Sequence, residues 1–249
     1  MVSSALQGVF KSLRMYHGPH TSKASMDALY RGFIRPGDLV IDVGAHAGDR
    51  VSSFRRLGAR VIALEPQPLM FRALRLIHGR DASVVLLPKA ASNMDGKLTL
   101  RINSNNPTVS TASSEFVANA IGKAGWLEQI WDAEITVESI TLDAVIQTYG
   151  YPSFIKIDVE GFELAVLEGL STPIPALSFE FTTIARDVAV RCLARLSTIE
   201  TYGFDFARGE SQALTFRRWV SALEMANYIR DLPHAANSGD IYARRLDAD

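Results

Sequence analysis

The sequence predicts an α/β fold in which helices cover both faces of a doubly wound, mostly parallel sheet. Two observations predict it: apolar runs of strand length alternate with segments of helical periodicity, and the run at 39–43 is typical of a strand buried on both faces. At 249 residues, 47% of them hydrophobic, the chain is long enough to bury the core of one such domain. We therefore expect one domain overall, with a helical segment at 1–35 followed by the sheet-bearing part at 36–249.

The first half of the chain repeats the order strand, then helix. Gly58 is a natural helix C-cap, and Pro68 suits the first turn of a helix, where its missing N–H costs nothing. Around these two markers the sequence predicts helices at 5–16 and 25–33, a strand at 39–43, a helix at 50–57, a strand at 60–65, a helix at 68–77, and strands at 83–87 and 97–103.

The second half begins with an irregular, polar stretch at 103–133, which contains at most one helix, at 115–124. The regular alternation then resumes. It predicts a short strand at 135–137, a helix at 141–150, a strand from 154 onwards, a strand at 177–183, a helix at 186–199, a strand at 202–206, a helix at 219–231 and a last strand at 239–243.

The segment after the first strand has the features of a nucleoside site. Asp42 lies in the strand, and Gly44 and Gly48 then allow a tight turn into a helix whose free N–H groups point above the sheet. This spacing is wider than the G-x-G-x-x-G pattern that binds a pyrophosphate. The second strand ends on Glu65, and a carboxylate there suits a ribose diol. These residues predict a ribose-containing ligand without a pyrophosphate.

At this point the sequence resembles the class I S-adenosylmethionine (SAM) dependent methyltransferases and, within them, the FkbM family. The stretches at 40–49, 63–66 and 154–169 carry the resemblance, and the last contains the pattern K-x-D-x-E-G-x-E. The resemblance implies a Rossmann-like, seven-stranded sheet closed by an antiparallel C-terminal strand. It also implies SAM as the cofactor and methyl transfer as the reaction. The atom that accepts the methyl group is expected to be a hydroxyl oxygen of a sugar, glycolipid or natural product.

The resemblance also assigns cofactor-binding roles to individual residues. It implies that the methionine part of SAM is held by Asp42, Gly44, Gly48 and Asp49. Glu65 would bind the ribose hydroxyls, and Ala90 and Ala91 would flank the adenine. The same loops add four further predicted cofactor residues, Ala45, His46, Pro66 and Asp158.

Four residues are candidates for the base that accepts the proton of an acceptor hydroxyl: Asp158, Glu160, His46 and Glu180. We favour the Asp158 and Glu160 pair, because side chains two apart on a strand share one face and ligands bind at the carboxyl ends of such strands. An ion pair between Lys156 and Asp158 that only stabilises the sheet is the structural alternative. His46 could equally pack in the cofactor loop without a catalytic role.

Two segments outside the sheet are predicted to contact the acceptor. Tyr16, His17 and His20 follow the first helix and are candidates for a lid, although a solvated surface loop is the alternative. The polar stretch at 103–133 supplies donors, acceptors and aromatic rings of the kind that bind a polyol, with Asn103, Ser110, Thr111 and Trp126 as its candidates. Its alternative is a crossover loop in which the tryptophans are ordinary packing.

Composition sets limits on the remaining possibilities. The net charge of −1 gives no basic footprint for nucleic acid, and no apolar run reaches membrane-spanning length. The lone Cys192 cannot form an internal disulfide, which is consistent with a reducing cytoplasm. We therefore expect a soluble, cytoplasmic protein. Its expected partner is a small-molecule or glycan acceptor. Neither an H-x-x-H nor a C-x-x-C spacing supports a zinc site, and we expect no metal. A nicotinamide oxidoreductase and a non-catalytic SAM-binding protein are the rival functions, and the sequence does not determine the oligomeric state.

Overall fold

A seven-stranded sheet forms the centre of the protein in the computed structural model, which describes residues 4–18 and 23–246. The strands are β1 Leu39–Val43, β2 Arg60–Leu64, β3 Val84–Leu87, β4 Ala90–Ala91, β5 Gly96–Ile102, β6 Ala133–Ile140, β7 Phe154–Ile157, β8 Ala176–Thr182, β9 Tyr202–Arg208 and β10 Ser238–Arg245. The helices are α1 Ser4–His17, α2 Lys23–Tyr30, α3 Asp49–Arg56, α4 Pro68–His78, α5 Ser114–Ala120, α6 Leu142–Tyr149, α7 Glu163–Glu168, α8 Arg186–Ile199 and α9 Ala222–Asp231. None of the helices in the described part of the chain has the length and apolar character needed to cross a membrane.

The strand order of the central sheet is β3-β2-β1-β7-β8-β10-β9. Strand β10 pairs antiparallel with both of its neighbours, whereas β1, β2, β3, β7 and β8 pair in parallel. The predicted fold is confirmed, including the antiparallel C-terminal strand. Because β1 leads to β2 on one side and pairs with β7 on the other, the chain reverses its winding there, and this leaves a crevice at the carboxyl ends of these strands.

Strand β1 shows why the sheet lies inside the protein. Its five residues are all buried, and successive side chains point to opposite faces. Ile41 packs with residues of α6, α7, α8 and α9 on one face, while Val40 packs with residues of α2, α3 and α4 on the other. Full burial of one aliphatic side chain stabilises the fold by about 1.5–3 kcal/mol, so β1 is held firmly between the two cores.

A second sheet, in the order β4-β6-β5, was not expected from the sequence. We predicted a short strand at 135–137, but β6 has eight residues and pairs with all seven residues of β5. The prediction was too short because Glu134 and Glu138 flank the apolar core of the strand, and both lie on its exposed face. This small sheet carries the polar stretch at 103–133 over one side of the crevice.

Two further predicted boundaries differ from the structure. Strand β7 ends at Ile157, so Asp158 and Glu160 lie in a loop and not on the strand. Glu160 has a φ of 54°, a left-handed conformation that an extended strand does not contain. Helix α9 begins at Ala222, because Ser221 caps it by accepting a hydrogen bond from Glu224 N, and Trp219 lies outside it.

Candidate active site at the carboxyl edge of the sheet

A cleft opens where β1, β2 and β7 end, as the strand order requires. Most of the residues predicted from the sequence line it, although they come from distant parts of the chain. Those that line it are Tyr16, Asp42, Gly44, Ala45, His46, Asp49, Glu65, Pro66, Ala90, Ala91, Ser110, Asp158 and Glu160.

The loop after β1 is shaped by its two glycines. Gly44 and Gly48 both have a φ of 80°, a conformation that residues with a Cβ rarely adopt. A Cβ on Gly44 would lie 1.8 Å from the carbonyl oxygen of Asp158, and one on Gly48 would lie 2.5 Å from Leu74 Cδ1. The backbone at Gly44 therefore approaches the β7 loop too closely for any side chain, which brings the two loops of the cleft together.

Glu65 ends β2 with a carboxylate that is held in one orientation. Its Oε2 accepts a hydrogen bond from His46 N at 2.9 Å, and its Oε1 accepts one from Gln67 N at 2.7 Å. Burial raises the pKa of Glu65 to about 7, although the backbone N–H groups of Gln67 and His46 favour the anion. A carboxylate has about four acceptor positions, so this one can still accept a hydrogen bond from a hydroxyl in the cleft.

His46 contributes a neutral imidazole to the same loop. Its ring packs edge-on against Tyr16, with 5.4 Å between the ring centroids. Burial lowers the pKa of His46 to about 4, so the ring is uncharged near neutral pH. Its Nε2 is buried and has no hydrogen-bond partner among the described residues, which leaves this nitrogen available to a ligand.

Lys156 is the buried cation beneath the cleft. It has no solvent exposure, and its Nζ lies 2.8 Å from Asp240 Oδ1 and 3.1 Å from Asp158 Oδ2. Burial would raise the pKa of Asp158, but the charges of Lys156 and Arg50 outweigh that effect and hold it below the usual value. Asp158 is therefore an anion near neutral pH. The ion pair considered as a structural alternative is present, and its aspartate also lines the cleft.

Asp42 and Arg50 form the acidic and basic parts of the cleft next to the glycine loop. Asp42 is buried, its Oδ2 has no partner among the described residues, and burial followed by the charge of Asp49 raises its pKa to about 7. Arg50 pairs with Asp49 at 2.5 Å and with Glu210 at 2.9 Å. Glu210, from the loop after β9, thereby reaches a cleft that is otherwise lined by residues between 16 and 162.

Glu160 and Glu180 complete a cluster of acidic side chains around Asp158. One carboxylate oxygen from each of the three residues lies within 4.8 Å of the other two. Burial, followed by the charges of Asp158 and Glu163, raises the pKa of Glu160 well above its usual value. Burial and the charge of Glu160 do the same for Glu180. Glu180 lies behind the cleft and does not line it.

A sequence profile described as "Methyltransferase FkbM domain" matches residues 42–231, a range that begins inside β1 and includes the whole of β2 and β7. This chain belongs to the FkbM methyltransferase domain family. Among curated proteins it is similar to the hexuronic acid methyltransferase AglP of Haloferax volcanii, with 25% identity over 161 residues. That alignment covers 64% of this chain and 61% of AglP, so it spans less than two thirds of the relative's length.

Two solved structures have a partly similar backbone. The precorrin-6y C5,15-methyltransferase of Geobacter metallireducens has a TM-score of 0.48 and 12% identity, over 90% of this chain and 86% of that one. The O-methyltransferase of Bacillus cereus, solved in complex with SAH, has a TM-score of 0.44 and 11% identity, over 99% and 92% of the two chains.

The three lid candidates, which precede the matched FkbM range, do not share one position relative to the cleft. Tyr16 lines the cleft, and burial followed by the charges of Asp49 and Asp158 raises its pKa well above the usual value. His17 lies outside the cleft lining, with its Nε2 2.7 Å from the carbonyl oxygen of Ala47. His20 lies outside the described residues.

The polar stretch at 103–133 contributes less to the cleft than its composition suggested. Of its four candidates, Ser110 lines the cleft, while Asn103 is buried and bonds to Gln129 Oε1 at 3.0 Å within its own loop. Trp126 is buried and packs edge-on against Phe116, with 5.2 Å between the centroids. The structure thus favours the packing alternative for Trp126 and gives Asn103 a role in folding the loop.

Thr111 is buried and has a structural contact with the acidic cluster. Its Oγ1 donates a hydrogen bond to the carbonyl oxygen of Glu160 at 2.7 Å, which fixes the left-handed backbone there. Glu163, the last acid of the K-x-D-x-E-G-x-E pattern, accepts from Gly161 N at 3.1 Å and Val159 N at 3.3 Å. This part of the FkbM motif therefore closes the loop that carries the cleft carboxylates.

Sequence reasoning missed several residues that line the cleft, of which Arg50, Lys89 and Glu210 are charged. Arg50 directly follows the predicted Asp49, and its position in the first turn of the helix after the glycine loop was a usable signal. Lys89 precedes the predicted Ala90 in the same way. Glu210 had no such signal, because only the packing of the β9 loop against α3 brings it to Arg50.

Proposed function

We propose that this protein is a SAM-dependent O-methyltransferase whose acceptor is a hydroxyl of a sugar, glycolipid or natural product. The observation that carries the proposal is the Glu65 carboxylate, which ends β2 at the cleft and is oriented by two backbone N–H groups. A carboxylate in this place suits the two hydroxyls of a ribose. Membership of the FkbM family supports methyl transfer as the reaction.

The charge of the cleft fits the cofactor. A sulfonium is a cation, and the described residues that line the cleft provide no excess of positive charge. The acids are Asp42, Asp49, Glu65, Asp158, Glu160 and Glu210, and the basic residues are Arg50, Lys89 and Lys156. Even with Glu160 neutral and Asp42 and Glu65 partly protonated near pH 7, this balance does not favour a pyrophosphate, which would need an excess of donors and cations.

The residues around the cleft divide between the parts of the cofactor. Glu65 would bind the ribose, and the small side chains of Ala90 and Ala91, with Pro66, would border the adenine. The methionine part would lie along the glycine loop, next to Asp42, Gly44, Ala45, His46, Gly48 and Asp49. When bound, SAM supplies an electrophilic methyl group.

The Asp158 and Glu160 pair is proposed to receive the proton of the acceptor hydroxyl. Asp158 is anionic near neutral pH because of Lys156, so it can accept a hydrogen bond from a hydroxyl and orient it towards the methyl group. The raised pKa of Glu160 keeps a proton on its carboxyl near neutral pH, so Asp158 is the member of the pair that is free to accept one. Because the two groups interact, the proton belongs to the pair and not to either residue alone.

The segment at 1–35 is proposed to act as a lid over the cofactor. Tyr16 at the end of α1 lines the cleft and touches His46, which supports this role. A lid that excludes water would protect the reacting groups and strengthen the electrostatic interactions beneath it.

Calorimetry with SAM tests the cofactor proposal directly. We expect the wild type to bind SAM and Glu65→Gln to bind it at least about tenfold more weakly, because a charge-assisted hydrogen bond contributes about 1.5–3 kcal/mol. Glu128→Gln is the matched control, since Glu128 is exposed in the stretch at 103–133 and does not line the cleft. Equal SAM affinity in the wild type and Glu65→Gln would remove the ribose role, and binding of NADH in place of SAM would favour the oxidoreductase.

A screen with labelled methyl donor tests the acceptor. The name of the relative AglP makes uronic acids and glycans that contain them the first compounds to try, followed by neutral sugars and hydroxylated natural products. We expect label in an ether linkage, identified by nuclear magnetic resonance of the product. Label found only on nitrogen would reject O-methylation, and tight SAM binding without turnover on any acceptor would indicate a non-catalytic SAM-binding protein.

A further inference from the structure

Helices α1 and α4 lie side by side on the outside of the domain, and both end at the glycine loop of the cleft. Val9, in the first half of α1, packs with Met70, near the start of α4. His17 and His78 are the last residues of the two helices, and their Nε2 atoms lie 2.7 Å and 3.1 Å from carbonyl oxygens of the glycine loop. The two helices therefore run in the same direction and form one outer surface, which we call the α1–α4 face.

The α1–α4 face exposes large apolar side chains. Leu76 is 88% exposed, Phe10 66% and Met15 55%. A single exposed apolar residue is ordinary on a protein surface, but these three lie on two adjacent helices. An apolar groove opens beside them between α1, α4 and the small sheet, and its lining includes Ala5, Val9, Leu69, Met70, Ile102 and Ile135. The helix pair thus carries apolar surface that no described part of the chain covers.

The charged side chains of the same face are all positive. The stretches at 4–18 and 66–80 contain no acidic residue, and their basic residues are Lys11, Arg14, Arg72, Arg75 and Arg80. The whole chain has 26 lysines and arginines against 27 acidic residues, so this excess is local. All five side chains are exposed, and none of them forms an ion pair with a described residue. Their charge is therefore available to an external anion.

We propose that the α1–α4 face binds the surface of an anionic lipid bilayer. Basic side chains are attracted to negatively charged head groups, while large apolar side chains enter the boundary between head groups and acyl chains. A neutral partner would leave the five cations unused, and a nucleic acid would leave Leu76 and Phe10 in water. An anionic bilayer satisfies both kinds of side chain. Binding of this type lies at the surface and needs no spanning segment.

Docking through this face would bring the cleft to the bilayer. Tyr16, near the end of α1, lines the cleft, and both helices end at its glycine loop. The consequence for the acceptor rests on the proposed function. Of the three acceptor classes named there, a glycolipid is the one that stays in a bilayer, so its sugar could reach the cleft while its lipid part remains in the membrane.

Co-sedimentation of the full chain with vesicles tests the face without SAM or an acceptor. One set of vesicles is phosphatidylcholine alone, and the other is an equimolar mixture of phosphatidylcholine and phosphatidylglycerol. We expect the wild type to bind the mixed vesicles, to bind them more weakly as the salt concentration rises, and to bind phosphatidylcholine alone at least about tenfold more weakly.

A double substitution, Arg72→Gln with Arg75→Gln, tests the charges. Each basic residue near an anionic surface contributes about fivefold to binding, so the double variant should bind the mixed vesicles at least about tenfold more weakly than the wild type. Arg60→Gln with Arg230→Gln is the matched control. It removes the same charge from exposed positions on β2 and α9, outside the α1–α4 face, and should bind like the wild type.

Phe10→Trp gives a second readout of the same face. Its added fluorescence should shift to shorter wavelength on the mixed vesicles and be quenched by lipids with brominated acyl chains. Leu223→Trp is the matched control, because Leu223 is 70% exposed but lies on α9. The tryptophan at this control position should neither shift nor be quenched. Equal quenching at the two positions would contradict docking through α1.

The remaining outcomes separate this proposal from the proposed function. Failure of the wild type to bind the mixed vesicles, equal binding to both kinds of vesicle, or unchanged binding of the arginine double variant overturns the proposal. A dimer without lipid that Phe10→Ala dissociates, measured by analytical ultracentrifugation, also overturns it, because a second copy then covers the face. Vesicle binding by a protein that binds no SAM in calorimetry supports the docking face and counts against the proposed function alone.

Discussion

Lys156 on β7 reaches across the intervening strand β8 and donates a hydrogen bond to Asp240 on β10, with 2.8 Å between Nζ and Oδ1. Both residues are buried, and the same Nζ lies 3.1 Å from Asp158 Oδ2. One ammonium group therefore connects β7, the loop that follows β7, and β10, and it keeps the aspartate of the cleft ionised.

Replacing Lys156 by methionine should strongly destabilise the fold. The change leaves Asp240 and Asp158 without their cation, and breaking a buried pair on one side costs about 3–5 kcal/mol. Urea unfolding at neutral pH measures this difference. Lys89→Met is the control, because the pair of Lys89 with Glu138 is largely exposed and should contribute less than about 1 kcal/mol. Equal losses in the two variants would contradict a special role for the buried ammonium.

Gly44→Ala should abolish SAM binding and destabilise the protein. A Cβ there would lie 1.8 Å from the Asp158 carbonyl oxygen, so the glycine loop must move away from the β7 loop. Gly37→Ala isolates the conformational cost, since Gly37 also has a positive φ, of 91°, but a Cβ there meets nothing within 4 Å. We expect Gly37→Ala to lose about 1–2 kcal/mol and to bind SAM normally. Calorimetry on Gly44→Ala would refute the close approach if SAM still bound with wild-type affinity.

The pH dependence of stability should change in Glu65→Gln. Burial raises the pKa of Glu65 to about 7, so the folded state holds a proton that the unfolded state has already lost. Stability linked to this group is complete below its unfolded pKa and is lost as the pH rises towards about 7. Relative to the wild type, Glu65→Gln should therefore gain up to about 3 kcal/mol between about pH 4.5 and pH 8. Urea unfolding across this range measures the difference, and a constant difference would show that Glu65 is ionised throughout.

Asp158→Asn should separate methyl transfer from cofactor binding. The asparagine keeps the size of the side chain but cannot take a proton, and a positioned base contributes about 10²–10⁴-fold to the rate. We expect turnover to fall within this range while the affinity for SAM, measured by calorimetry, stays within a few-fold of the wild type. Asp143→Asn is a control for the general effect of losing a carboxylate, since Asp143 caps the backbone at Ser171 outside the cleft. Wild-type turnover in Asp158→Asn would exclude it as the base.

Tyr16→Ala should weaken the proposed lid. The substitution removes the ring that packs against His46 and lines the cleft, so water can reach the cofactor. We expect weaker SAM binding and faster loss of bound SAM, measured by stopped-flow displacement. Phe10→Ala is the matched control on the same helix, because Phe10 is 66% exposed and does not line the cleft. Identical dissociation rates in all three proteins would mean that α1 is not a lid.

The sequence predicted those parts of the site that depend on short stretches of chain. The buried strand before Asp42, the two glycines and the carboxylate at Glu65 are each encoded within about ten residues, and strand polarity alone brings them to one edge. Asp158 and Glu160 were expected together for a different reason from the one that the structure shows. They share the cleft because both lie in the loop after Ile157, where Glu160 is left-handed, and not because the strand continues.

The parts that could not be predicted depend on contacts between distant segments. Glu210 meets Arg50 across 160 residues, and Lys156 meets Asp240 across 84. No periodicity or motif encodes such pairs, because they follow from how loops and strands pack after the sheet has formed. Trp126 was predicted to bind the acceptor because the stretch at 103–133 is rich in polar and aromatic residues. In the structure it packs against Phe116 and is part of the core.

The insertion of β10 between β8 and β9 has a consequence for biosynthesis. Strand β10, residues 238–245, lies between β8 and β9 and carries Asp240, the partner of Lys156. A ribosome emits the chain from its N-terminus, so the first strands emerge long before this one. Until translation has passed residue 245, β8 and β9 must therefore stay apart in the nascent protein. The edges of both strands that face β10 are unpaired during this time. Chaperone contact with these two strand edges is expected to last until that moment, and it can be measured by crosslinking stalled chains that end before and after β10.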